Sequence, residues 1–204
     1  LGVDVFIVIS GYLITSIILK EYQTTQSFSF SNYYKRRIRR LLPALLVVIF
    51  FTSIVSYIVL LPTHFEEFIK SVAASIFFFS NFFFHFSGQA YGAQVLSEIP
   101  LLHTWSLSLE EQFYIVYPVA LIGMIIYLKK HIKLILIIGI LASVIFASLI
   151  SINHQSFNYY MLPSRAWEFF FGALLGININ QFNIIKNEKK NGILAILGFL
   201  FLFF

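Results

Sequence analysis

Apolar runs long enough to cross a bilayer, separated by short clusters of charge, leave this chain few ways to fold. Residues 2–19 form the first run, which exits at Lys20-Glu21. The second opens at Pro43, where a missing N–H costs a helix nothing, and ends near Leu61. Further runs cover Ile69–Phe86, Trp105–Leu128, Leu134–Ile152 and 164–178, and a last one starts near Gly192. About 20 consecutive apolar residues suffice to span membrane hydrocarbon. In lipid, a backbone must satisfy its own N–H and C=O groups, so such runs fold as helices. The expected fold class is all-α, a polytopic transmembrane helical bundle. Only 11% of the 204 residues are charged and 59% are hydrophobic. Soluble domains carry about 25% charge, so a soluble or disordered chain is excluded. With no cysteine, disulfides, thiolate nucleophiles and Cys-ligated metals are excluded too, and no metal site is expected.

Where the charge sits sets the topology. Basic residues gather in three short loops: Lys35 to Arg40, Lys129-Lys130-His131-Ile132-Lys133, and Lys186 with Lys189-Lys190. By the positive-inside rule all three face the cytoplasm. The turn at Pro62-Thr63-His64, followed by Glu66-Glu67, has no basic cluster and faces outward. Each basic patch is flanked by spans, so nucleic acid is not expected as a partner. Membrane lipids are. Arg36, Arg37, Arg39 and Arg40 fit either a topogenic, phospholipid-contacting role or recognition of a phosphorylated cytosolic ligand. If this run is helical, Arg36 and Arg40 share a face and Arg37 stands apart.

These crossings do not close in number. Either 69–86 enters and returns, or the Trp105–Tyr114 portion is re-entrant. The second option is favoured, because the polar residues lie there and non-helical backbone at membrane depth needs protein or a water-filled cavity around it.

The segment Leu102 to Tyr114 places a histidine, two adjacent carboxylates and two serines at the edge of an apolar run. Ionisable groups at membrane depth cost roughly 2.5–3.5 kcal/mol each on insertion scales, which makes such a cluster a candidate site. His103 reads either as an interfacial residue or as a base or hydrogen-bonding group, with Trp105 available to stack and Ser106 and Ser108 offering hydroxyls. Glu110 and Glu111 point about 100° apart on a helix. One is expected to face a cavity and the other a cation or the interface. Tyr114 shares a face with both.

A second polar island runs from Ser164 to Gly176. Arg165 and Glu168 are spaced to pair on one face, though Arg165 could instead reach Glu110 or Glu111. Gly172 and Gly176 form a G-x-x-x-G spacing that permits close helix packing. Asp4 reads either as an N-cap or as a partner for a basic group on a missing helix.

Four stretches together resemble the membrane acyltransferase-3 family, and within it bacterial O-antigen and peptidoglycan O-acetyltransferases. They are Gly2-Val3-Asp4-Val5-Phe6 through Thr15, the Arg-Arg-x-Arg-Arg-x-x-Pro run at 36–43, Pro100 through Tyr114, and Leu162-Pro163-Ser164-Arg165-Ala166-Trp167-Glu168. The resemblance implies one acyltransferase-3 transmembrane domain over 1–204, in a multi-pass protein of the bacterial cytoplasmic membrane. It implies transfer of an acyl group, commonly acetyl, from cytosolic acyl-CoA to a hydroxyl of a cell-surface glycan. It assigns Arg36, Arg37, Arg39 and Arg40 to the donor phosphates, and His103, Glu110, Glu111, Arg165 and Glu168 to the transfer pathway. Asp4, Trp105 and Tyr114 become substrate or helix partners. Arg39→Ala is expected to weaken acyl-CoA use. The histidine that the family uses lies on a helix before Gly2-Val3-Asp4. Since the chain starts at Leu1 without Met and stops within Gly198–Phe204, it is expected to be a piece cut at both ends. The competing readings are a proton-coupled or lipid-glycan transporter, which inverted repeats would favour and none is evident, and a remnant without acyl chemistry.

Overall fold

The computed structural model describes residues 2–87 and 99–181. They form α1 (Gly2–Thr25), α2 (Phe30–Val59), α3 (Pro62–Ile76), α4 (Ser80–Ser87), α5 (Thr104–Tyr127), α6 (Ile132–Ile150), α7 (Gln155–Tyr160) and α8 (Leu162–Gln181), with no strand among the described residues. Four of these, α1, α2, α5 and α6, are long and apolar enough to cross a membrane. The chain is therefore an all-α, polytopic transmembrane bundle. Its outer surface fits that solvent: Phe50, Phe51, Tyr57 and Ile58 on α2 and Leu149 on α6 are each more than 60% exposed, a display that water-soluble monomers rarely carry. Residues 88–98, the Lys186, Lys189 and Lys190 cluster and the run from Gly192 lie outside the described residues.

Three helices run side by side in the same direction. Asp4 meets Arg165, Gly11 meets Phe169 and Gly176 meets Tyr12, which aligns α1 with α8. Ser10 meets Glu110 and Thr15 meets Tyr117, which aligns α1 with α5. Glycine makes the first contact possible. A Cβ on Gly11 would strike the carbonyl oxygen of Phe169, and one on Gly172 would strike that of Val8. On Gly176 it would lie 3.0 Å from the Tyr12 carbonyl. The G-x-x-x-G spacing thus brings two backbones together, as small residues do where lipid supplies no hydrophobic force between helices. Phe113 fills the centre, stacked on Phe169 at 4.1 Å and on Tyr117 at 4.5 Å. Antiparallel α6 backs α8, with Ser143 Oγ donating to the Pro163 carbonyl at 2.7 Å and Gly139 against the Phe170 ring.

The crossing count is resolved by the option that the sequence disfavoured. Trp105–Tyr114 is not re-entrant; it lies in one unbroken helix. The break falls instead inside 69–86, between α3 and α4. Ser75 bonds Thr104, the Phe78 carbonyl reaches Gln112, Ser80 reaches Ser108, and His85 then meets Ser156. The chain therefore descends along α5 and climbs back. Phe78 makes the turn at φ 57, a conformation rare for a bulky residue. Gln112 Nε2 holds it by donating to the Phe78 carbonyl at 2.9 Å and to Asn81 Oδ1 at 2.8 Å. The helix period does not mark this break, because apolar Phe runs read the same in one long helix or two short ones.

Two further expectations change. The Lys35–Arg40 run is not a loop but part of α2, and Pro43 lies inside that helix rather than opening it. Ser29 is the true N-cap, accepting from the Asn32 N–H at 3.4 Å. Proline forfeits one hydrogen bond there, and thirty residues of otherwise regular helix absorb the loss. Between α6 and α8 the polar stretch after Ile152 forms the short helix α7.

Candidate functional site

Helix α2 runs antiparallel to α5 but stands away from α1. Tyr34 donates to the Ile115 carbonyl at 2.9 Å, and Arg37 reaches Glu111 at 2.7 Å. Between α1, α2 and the start of α5 lies a groove of about 720 Å³. On α1 it extends from Phe6 to Ile17, about 16 Å of helix. Its walls are apolar, with Ile9 and Leu13 facing Leu41, Ala44 and Val48. Polar groups reach it at chosen points: Arg36, Arg37 and Arg40 from α2, Ser10 from α1, Glu110 and Tyr114 from α5, and His103 just before α5.

The adjacent glutamates divide as their 100° offset requires. Glu110 is buried, faces the groove and accepts a hydrogen bond from Ser10 Oγ. Glu111 turns to α2 and pairs with Arg37, whose guanidinium also lies 3.4 Å from the centre of the Tyr114 ring. That pair sits about 24 Å along α5 from Tyr127, well inside the bundle. Arg37 is therefore committed to two partners, a carboxylate and a π face. Arg36 pairs with Glu21 at 3.0 Å near the end of α1, in a more exposed setting. Arg40 lines the groove, whereas exposed Arg39 does not. Arg36, Arg37 and Arg40 all border the groove, but Arg37 turns to Glu111 and Tyr114 while Arg36 turns to Glu21, as their 100° offset requires. The structure does not bring Arg39 to the groove, because its position points away from the Arg36–Arg40 face.

His103 is exposed at the rim, just before α5. Ser106 Oγ donates to the His103 carbonyl at 3.2 Å, and Ser108 Oγ is occupied by the Ser80 hydroxyl and N–H, so Ser108 fastens α4 rather than serving the groove.

The second polar island lies at the opposite side of α1, where α1, α5 and α8 begin. Arg165 Nε donates to Glu168 Oε1 at 3.1 Å, and its Nη2 donates to Asp4. It reaches neither Glu110 nor Glu111. Asp4 has a basic partner on α8. The Arg165 guanidinium also lies 5.4 Å from the Trp105 ring, and Trp105 is buried against Tyr159 and Tyr160. Candidate residues thus fall into two groups, one at the groove and one around Arg165.

Sequence reasoning missed several groups that shape these sites. Ser10 carries the bond that orients Glu110, and Glu21 accepts from both Arg36 and the Ser29 N–H. Thr15 Oγ1 donates to the Gly11 carbonyl at 2.8 Å, so the hydroxyl of Tyr117, also at 2.8 Å, donates to Thr15. Asn81 and Gln112 lock α4 to α5 and to the Tyr160 carbonyl. A polar residue inside an apolar run is the signal at Ser10 and Thr15, whereas Glu21 lies in the polar end of α1 and gives no such signal. Among the described residues, no group of three or more His, Asp or Glu is placed to hold a metal ion.

Comparison with known proteins gives this arrangement a lineage. The family described as an acyltransferase domain, acyltransferase-3, matches residues 1–204. An uncharacterized protein of Haemophilus influenzae is 37% identical, covering 98% of this chain and 84% of its own length. A Bacillus subtilis protein named as a putative peptidoglycan O-acetyltransferase is 36% identical over 87% of this chain. A Staphylococcus aureus protein named as a putative O-acetyltransferase is 34% identical over 93% of it. The chain spans only 28% and 32% of the length of those last two relatives. No solved structure matches.

Proposed function

This chain belongs to the acyltransferase-3 family, and on that premise we propose that it forms part of a bacterial cytoplasmic-membrane O-acyltransferase. The donor is acyl-CoA, with acetyl as the group moved, and the acceptor is a hydroxyl of a cell-envelope glycan such as peptidoglycan, O-antigen or an exopolysaccharide. One observation carries this reading: a single groove joins an apolar slot to arginines and to a buried carboxylate. An acyl thioester with its phosphorylated carrier needs that combination. Arg36 and Arg40 suit phosphates, since guanidinium forks match their oxygens. The apolar walls suit the acyl and thioester end.

In the transfer, the acceptor hydroxyl oxygen bonds to the acyl carbon, the C–S bond breaks and the thiolate of coenzyme A leaves. The hydroxyl proton must pass to a base. Glu110 and His103 are the titratable groups facing the groove besides its arginines and tyrosines, and Ser10 fixes where the Glu110 carboxyl points. Arg37 and Glu111 hold α2 against α5 and so set the width of the slot.

The test uses the full-length protein in membrane vesicles supplied with labelled acetyl-CoA. Label is expected in envelope glycan, and Glu110→Gln is expected to cut its rate at least about tenfold with membrane abundance unchanged. Equal loss of protein and activity would reduce Glu110 to a structural role. No label in glycan and no thioester consumption would favour carriage without acyl chemistry.

A further inference from the structure

At the end of the bundle where α1, α5 and α8 begin lies a second cavity, of about 310 Å³, set among α6, α7 and α8. We propose that it is a sugar-binding subsite that holds one ring of the acceptor glycan. The inference rests on the acyltransferase reading for the identity of its ligand, but its site is separate from the groove.

The lining argues for a neutral, polyhydroxylated ligand. Two part-exposed aromatic residues border the cavity, Trp167 at 36% and Tyr159 at 50% exposure. A sugar ring offers an apolar C–H face to such surfaces and hydroxyls around its edge. Gln155 and Asn158 also line the cavity, and among the described residues neither side-chain amide forms a hydrogen bond within the protein. Each amide offers two donors and an acceptor. The floor is Arg165 and Glu168, both buried.

Charge separates this ligand from the alternatives. Arg165 is matched by two carboxylates, Asp4 and Glu168. Arg165 is already committed to these carboxylates, so the cavity offers no unmatched positive charge to a phosphate or a carboxylate. A purely apolar ligand would cover both amides and leave them without partners, which is costly. Aromatic residues that merely anchor a helix at a membrane interface would need no polar cavity between them. The volume lies at the lower end of ligand pockets, roughly 300–1,000 Å³, enough for one ring rather than a strand. The location agrees: Lys129 and Lys130 lie just beyond the opposite end of α5, so by the positive-inside rule this cavity opens on the outer side, where glycan is found.

The experiment measures equilibrium binding of soluble, uncharged oligosaccharides of N-acetylglucosamine to the purified full-length protein, without acyl-CoA. Variants are Gln155→Ala, Trp167→Ala and Trp167→Phe. Gln155 is exposed and makes no side-chain hydrogen bond among the described residues, so its truncation leaves the fold intact. Trp167→Ala is expected to weaken binding about tenfold, Gln155→Ala a few-fold, and Trp167→Phe to restore most of the loss. Binding that is absent from the wild type, or equal in all four proteins, overturns the subsite. Oligosaccharide binding that follows this order in a protein that transfers no acetyl keeps the subsite and removes the acyltransferase reading. Transfer whose acceptor KM ignores both residues removes the subsite alone.

Discussion

Two of the neighbours of helix α1, α8 and α2, treat it in opposite ways. Against α8 it packs backbone to backbone, through Gly11, Gly172 and Gly176. Against α2 it leaves a groove of about 720 Å³. The first interface has no room for a methyl group, while the second has room for a ligand. The contrast separates frame from wall. Helices α1, α5 and α8 form a fixed frame in which Ser10, Thr15, Glu110 and Tyr117 are placed by neighbours on two sides. Helix α2 is a largely exposed wall, joined to that frame at a few points, chiefly Arg37 to Glu111, Tyr34 to Ile115 and Arg36 to Glu21.

The largest effect should come from breaking the frame. Gly172→Leu drives a side chain into the Val8 carbonyl and the Tyr12 N–H. The backbones cannot yield without separating α1 from α8. We expect loss of folded protein, read as disappearance of the monodisperse detergent-extracted species; normal extraction would show that the interface is not close-packed.

Next is the fastening between frame and wall. Arg37→Ala leaves Glu111 with little water and no cation, and removing one member of such a pair costs about 3 kcal/mol. Thermal unfolding in detergent should shift down clearly, whereas Arg36→Ala, whose ion pair is far more exposed, should cost at most about 1 kcal/mol. Similar shifts in the two variants would contradict the division between buried and exposed fastenings.

The smallest differences sharpen the wall itself. Arg40→Ala is expected to raise the KM for acyl-CoA several-fold with little change in kcat. Arg39→Ala should leave it near the wild-type value, since Arg39 does not line the groove. Steady-state kinetics on both variants checks this, and a larger effect at Arg39 would move the phosphates to the other face of α2.

The frame was easier to read from sequence than the wall. Apolar runs give α1, α5, α6 and α8 within a few residues, because helix is the only isolated secondary structure that a lipid-facing segment can adopt. The spacing of Gly172 and Gly176, and of Arg165 and Glu168, announces contacts within reach of one helix face. Asp4 with Arg165 is different, since nothing local links residues 161 positions apart. The same holds for Ser10 with Glu110. Helix α2 misled for a physical reason. A basic run followed by proline resembles a loop before a helix start, yet arginine keeps good helix propensity and its long stem lets the charge find partners from inside a helix. The break at Phe78 was hidden because no glycine or proline marks it, and Gln112 supplies the stabilisation from a distant part of the chain.

The central claim is that the slot between α1 and α2 carries the acyl donor. Ala44 lines that slot from the α2 side and makes it simple to fill. The decisive measurement is the initial rate of labelled acetyl transfer from acetyl-CoA to envelope glycan in vesicles containing full-length Ala44→Trp, normalised to protein in the membrane. Blocked transfer, with oligosaccharide binding at the outer cavity retained, is the predicted result. Transfer at the wild-type rate through a filled slot would contradict the account.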